Sequence, residues 1–315
     1  MTAEPTLQLD LCISDGTKFA KLIDCLKYSN IGYFMFKPDI IYYGELAVRS
    51  PKKGNNKNLD LEVSNTFELF PQKLERYKFN GNGHGHEYII YFNVNELRDI
   101  LGRINKDVKI WMYKTFEDEN IYVRFINPTD SNVGFSCFLP LNVQNPEYVV
   151  YPQFSREDNN PNCFISPNSL ATECKRIRAK NTKEIKLECH TDYILVDVTS
   201  NNNSIRQFIW GKSQNGGTPS GSPSAGRNNL NLRIDMDSLF KQDLKISPVK
   251  VNIDSQEIIE MVISSGIFKN LGKLSALNKT ENIRIFVENS CIKFITIIGD
   301  FGVLRSYITR TNEII

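Results

Sequence analysis

YIIYFNVNELRDILGRINKDVKIWMYKTFEDENIYVRFINP, residues Tyr88–Pro128, decides how the rest of the chain is read. Val94, Leu97, Ile100, Leu101 and Ile104 recur three and four positions apart, which lays one apolar stripe along a helix. Beyond that helix, Val108–Tyr113 and Asn120–Ile126 alternate apolar and polar residues around the polar turn Glu117-Asp118-Glu119. Alternation about a turn of that composition is the signature of a β-hairpin. The unit predicted here is therefore a helix followed by a hairpin.

Working outward, the same order recurs three times. Phe19, Leu22, Ile23 and Leu26 form a stripe after the capping residues Ser14 and Asp15, and YFMF and IIYY follow around Lys37-Pro38-Asp39. Ser166-Pro167 opens a third helix in the favoured cap-then-proline order, with Leu170, Cys174 and Ile177 inward. Ile185–Cys189 and Tyr193–Val198 follow it around His190-Thr191-Asp192. The fourth copy is less regular. Asp254 or Ser255 caps Ile258, Ile259, Val262 and Ile263, Gly266 interrupts, and Phe268, Leu271 and Leu274 continue toward Ile283–Val287 and Ile292–Ile298. The expectation is an α+β fold of two similar domains, each holding two helix-plus-β-hairpin units.

Three segments interrupt this order. Ser50–Asn58 is a polar basic loop, and Ser213–Asn229 is flexible by composition. Asn127–Pro146 carries three prolines around GFSCFLPL and suits an extended connector. These place an N-terminal domain at 1–126, a connector at 127–147 and a C-terminal domain at 148–315, with a flexible loop at 211–230.

Composition narrows the function. With 41% hydrophobic and 23% charged residues the chain has globular composition. No apolar run approaches the roughly 20 residues of a membrane helix, so no membrane role is expected. Seven scattered cysteines suit reduced thiols inside a cell. The net charge of +2 gives no whole-molecule attraction to nucleic acid, so a DNA surface must come from local segregation of charge. No phosphate loop, HExxH or CxxC pair occurs, and the expectation is a non-enzyme without metal or cofactor. Gly81-Asn82-Gly83-His84-Gly85-His86 reads as a turn, because glycine-flanked histidines are costly to order around a metal. Cys189 and His190 are adjacent in a strand and point to opposite faces, which excludes a nucleophile–base pair.

Tyr88–Pro128, together with LRSYITR at Leu304–Arg310, resembles the proliferating-cell-nuclear-antigen family of DNA sliding clamps, and the likeness in pattern spans nearly the whole chain. The loops at 49–80 and 211–230 are longer than such clamps usually carry, which suggests a divergent member, such as one from a large DNA virus. The resemblance implies a DNA-clamp fold with helices inside and antiparallel sheets outside. It further implies a homotrimeric processivity factor that encircles double-stranded DNA. DNA polymerase and other replication or repair proteins would dock through short peptides, in the nucleus or at a cytoplasmic viral replication site.

Carried onto this chain, the DNA-facing residues are Lys18, Lys21, Arg98, Arg103, Lys106, Lys175, Arg176, Arg178, Lys180, Lys269 and Lys273, with the third helix the most basic. The peptide pocket falls to Phe138, Leu139, Tyr307 and Ile308. Two alternatives stand beside it: a monomeric subunit of the same fold gripping DNA on one basic face, and a structural protein of a viral replication compartment.

Overall fold

Four stretches with helical spacing become helices, and each is set off from the chain before it by a side chain that satisfies its first free amides. The computed structural model describes residues 7–26, 30–45, 61–80, 87–102, 104, 108–117, 120–126, 133–142, 158, 160–177, 181–211, 258–288 and 291–310. Asp15 accepts the Lys18 N–H at 2.8 Å and opens α1 (Gly16–Cys25). Asn93 opens α2 (Val94–Leu101), Ser166 opens α3 (Pro167–Arg176) and Ser264 opens α4 (Ser265–Leu274). Such caps are each worth roughly 1 kcal/mol.

The other elements of the described residues are strands, with a short 3₁₀ turn at Pro71–Lys73. Before and after α1 lie β1 (Leu7–Ile13), β2 (Ile31–Phe36), β3 (Ile41–Glu45), β4 (Leu61–Leu69) and β5 (Arg76–Phe79). Around α2 lie β6 (Tyr88–Asn93), β7 (Lys109–Thr115), β8 (Asn120–Ile126) and β9 (Val133–Asn142). Around α3 lie β10 (Cys163–Ile165), β11 (Thr182–Cys189), β12 (Tyr193–Ser200) and β13 (Ile205–Gly211). Around α4 lie β14 (Ile259–Ile263), β15 (Ile283–Glu288), β16 (Cys291–Ile298) and β17 (Gly302–Arg310).

This corrects the α+β expectation. The molecule is mainly β, in three antiparallel sheets, and not two clamp domains of helix-plus-hairpin units with helices inside. The recurring run is a strand, one helix of eight to ten residues, and then at least three strands. Physically, period-two alternation extends well beyond the hairpins. Leu61–Leu69 and Arg76–Phe79, within a stretch taken as loop, are strands. Val133–Asn142, within the expected connector, pairs with β8. Ile259–Ile263, assigned to the fourth helix, is a strand burying Met261 and Ile263 while Glu260 and Val262 face solvent. The proposed caps Asp254 and Ser255 lie outside the described residues, as do Ser50–Asn58, Gly81–His86 and the loop at 213–229.

One sheet runs β5-β1-β7-β8-β9 and a second runs β6-β2-β3-β4-β17-β16-β15-β10. Strand β9 meets β8 along most of its length and β6 only at Leu141 and Asn142, which joins the two in one strand order. The third sheet is β13-β12-β11-β14. Strands β4 and β17 pair from Leu69↔Gly302 to Leu61↔Arg310 and so link the two halves of the chain. The described residues all fall within one compact unit, Met1–Lys212 with Ile258–Ile315.

Inward-facing residues of sheets and helices share one core. Phe34, Tyr43, Phe67 and Phe92 form a ring cluster under it, with Tyr43 and Phe67 stacked at 4.5 Å. One buried polar network joins the halves, and a second, partly buried, lies within the C-terminal half. Glu45 accepts the Asn65 backbone N–H at 2.7 Å, and Asn65 Oδ1 accepts the Ser306 hydroxyl at 2.6 Å. Asp158 accepts from Lys293 at 2.9 Å and from Arg305 at 2.8 Å. Partial burial works to raise the Asp158 pKa, but the two cations outweigh it and hold the carboxyl below its usual range.

Candidate functional site

The helices are neighbours in the order α2, α1, α4, α3, and their apolar stripes are buried in the common core. A specific lock fixes the middle pair. The last turn of α1 contains no cation of its own, and its orphan carbonyls are met from α4. Asn270 Nδ2 donates to the Cys25 carbonyl at 3.0 Å. Lys273 Nζ donates to the Asp24 carbonyl at 3.0 Å and pairs with the Asp24 carboxylate at 2.7 Å. Lys273, assigned to DNA by the sequence reading, thus already serves as a cationic cap on a neighbouring helix.

The other assigned cations divide by what they touch. Lys18 pairs with Asp15 at 3.1 Å and Arg98 donates to Asn95 at 3.0 Å, so both are engaged along their own helices. Lys21, Lys175, Arg176 and Lys269 are exposed, and none forms a salt bridge among the described residues. Lys18 and Lys21 together line a cleft of about 460 Å³ with Ser14, Asp15, Gly16, Thr17 and Val108. Arg103, Lys106, Arg178 and Lys180 lie outside the described residues. Positive charge is segregated on α3 and α4, whereas α1 and α2 expose Asp24, Glu96 and Asp99 beside their cations.

Glu173, the acid on α3, is turned away from this surface. Its carboxylate accepts the Trp210 indole N–H at 2.6 Å. Burial raises its pKa, opposed by that hydrogen bond and by Arg176. The acid most able to cancel Lys175 and Arg176 is therefore spent on the core. Nothing in the local sequence marks this partner, which lies 37 residues away.

The residues assigned to a peptide pocket fall on two strands, Phe138 and Leu139 on β9 and Tyr307 and Ile308 on β17. Leu139 and Ile308 are fully buried, facing Ile121 on β8 and both Ile292 and Val63 across β17. Tyr307 is nearly buried, and Phe138 is placed only in its backbone, opposite Tyr122. No family model matches the chain, and no curated protein does.

Reactive chemistry finds little support in the described residues. No group of three His, Cys, Asp or Glu is placed to hold a metal ion. Burial pushes the Cys25, Cys163 and Cys174 thiols up to about 12, which keeps them protonated and poorly nucleophilic. His190 stacks on Tyr193 at 4.1 Å and meets Glu188 at 2.9 Å, with Cys189 buried on the opposite face. No described helix is long and apolar enough to cross a membrane. What the surface offers is a row of short helices bearing exposed cations.

Proposed function

We propose that the chain is a processivity subunit of a DNA polymerase: a homo-oligomeric sliding clamp, trimeric in form, that surrounds duplex DNA and recruits replication and repair proteins. The supporting observation is the row of four neighbouring helices, whose outer side carries Lys21, Lys175, Arg176 and Lys269 with no salt bridge among the described residues. Cations on short helices attract phosphates without reading bases, as a protein that moves along DNA requires. Their number is small, and a net charge of +2 adds little. Electrostatics alone would release such a protein quickly at physiological salt. Topological closure supplies retention that does not depend on how many phosphates are neutralised.

Closure and affinity separate in one experiment. Protein loaded on nicked circular duplex should survive a moderate salt wash, leave within seconds of linearisation by a nuclease, and be retained again when the ends are blocked. Equal lifetimes on circular, linear and end-blocked DNA, with loading verified, would reject closure in favour of a one-face binder. Replacing Lys175 and Arg176 by alanine should lower the log–log salt slope of binding by about 0.9 for each phosphate that the variant leaves unneutralised.

A further inference from the structure

The solvent face of the β5-β1-β7-β8 sheet carries an arrangement that the DNA reading leaves unused. Strand β7 turns Trp111 and Tyr113 outward between the buried Ile110, Met112 and Lys114, and β8 turns Tyr122 and Arg124 outward. Register places Trp111 opposite Arg124 and Tyr113 opposite Tyr122. From the other side, Arg76 on β5 reaches over β1. Its guanidinium lies 5.0 Å from the Trp111 ring centroid, and that of Arg124 lies 5.2 Å from the same ring. Arg124 also lies 5.0 Å from Tyr113, whose ring stacks on Tyr122 at 5.1 Å.

The two guanidiniums differ in what they meet. Arg76 pairs through Nε with Asp10 at 3.1 Å, and Asp10 also accepts the Trp111 indole N–H at 2.8 Å. Arg124 has no carboxylate partner among the described residues, and its Nε is buried without a hydrogen bond. Stacking on an aromatic ring restricts a guanidinium's orientation, and its terminal nitrogens can still receive a carboxylate in a forked pair. Lys78 adds an exposed cation beside them on the edge strand.

We propose that this face docks an extended acidic peptide segment of a partner protein, with carboxylates two residues apart, on one side of the segment, meeting Arg76 and Arg124. Two guanidiniums, each about 5 Å from one indole, are at most about 10 Å apart, within reach of side chains two residues apart, about 7 Å, on one face of an extended segment. A single-stranded nucleic acid fits less well. Its bases need open ring faces, whereas guanidiniums take up the indole and the tyrosines stack on one another. Trp, Tyr and Arg are also the residues most enriched at the energetic centres of protein interfaces. The inference stands independently of the DNA reading.

The test uses the full chain and a fluorescein-labelled peptide with glutamates at i and i+2, compared with its glutamine counterpart and with labelled oligothymidylate. Trp111 supplies a second readout, because Trp210, the only other tryptophan, is 1% exposed in the core. The glutamate peptide should bind saturably and change tryptophan emission. Arg124→Lys and Arg76→Lys, which keep the charge and lose the fork, should each weaken binding about tenfold with an unchanged far-UV spectrum. Should Arg124→Lys fail to fold, Arg76→Lys on the exposed edge strand carries the same comparison. Equal binding of the glutamine peptide, wild-type binding by the folded Arg variants, or tighter binding of oligothymidylate would each overturn the proposal.

Discussion

Glu173 shows how far one residue's role departs from its local sequence. In TECKR it reads as a surface acid beside two cations, yet its carboxylate is half-sunk against Trp210. Burial raises its pKa, so the native state holds this proton more tightly than the unfolded chain does. Stability therefore falls as pH rises from the ordinary glutamate range through the raised value, and the cost is complete above it. Glu173→Gln keeps an acceptor for the indole and removes the buried charge. Urea denaturation from pH 4 to 8 should show the variant as stable as wild type or better at pH 8. It should also lose part of the wild-type decline with pH. A variant weaker than wild type at every pH would mean that the charged hydrogen bond is required.

At the scale of elements, the α1–α4 lock makes its own prediction. Lys273→Ala removes the cation from the end of α1 and its bonds to Asp24, at a cost of about 1 kcal/mol for a partly exposed pair. The melting temperature should fall by roughly 2 °C while the salt slope of DNA binding stays unchanged. A lower slope with an unchanged melting temperature would return Lys273 to the DNA surface. The helices themselves were legible, since the stripes Phe19–Leu26, Val94–Leu101, Leu170–Ile177 and Phe268–Leu274 all sit on or end at helices with the expected buried faces. Strand content was underestimated. Ile258, Ile259, Val262 and Ile263 satisfy a helical spacing while Ile259, Met261 and Ile263 satisfy an alternating one, and only pairing with β11 decides between them. Short strands such as Arg76–Phe79 carry too few residues to declare a period. The Arg76–Trp111–Arg124 ladder spans three strands, so neighbours in sequence reveal only its alternation.

At the scale of the whole molecule, the links between halves indicate where a second copy would attach. Strand β4 is the third strand after α1, and its far side is paired by β17 of the same chain. Strand β13 holds the same place after α3. It pairs with β12 on one side and ends its sheet's strand order among the described residues. In the first half, the strand corresponding to β17 is β9, which pairs with β8 as β17 pairs with β16 and leaves most of its other side open among the described residues. If copies repeat the β4–β17 joint, β13 of one meets β9 of the next, a head-to-tail junction that must close into a ring or grow into a filament. Ile205 and Ile209 are 69% and 42% exposed on β13, apolar residues on an edge that would otherwise invite unspecific pairing. Ile209→Lys puts a charge into such a joint while disturbing nothing in the core. Light scattering should therefore show the wild-type chain as a closed oligomer well above micromolar concentration. It should show Ile209→Lys as a monomer of unchanged melting temperature that no longer persists on circular DNA. A wild-type monomer, or a variant that keeps the oligomeric mass, would remove β13 from the joint and with it this route to closure.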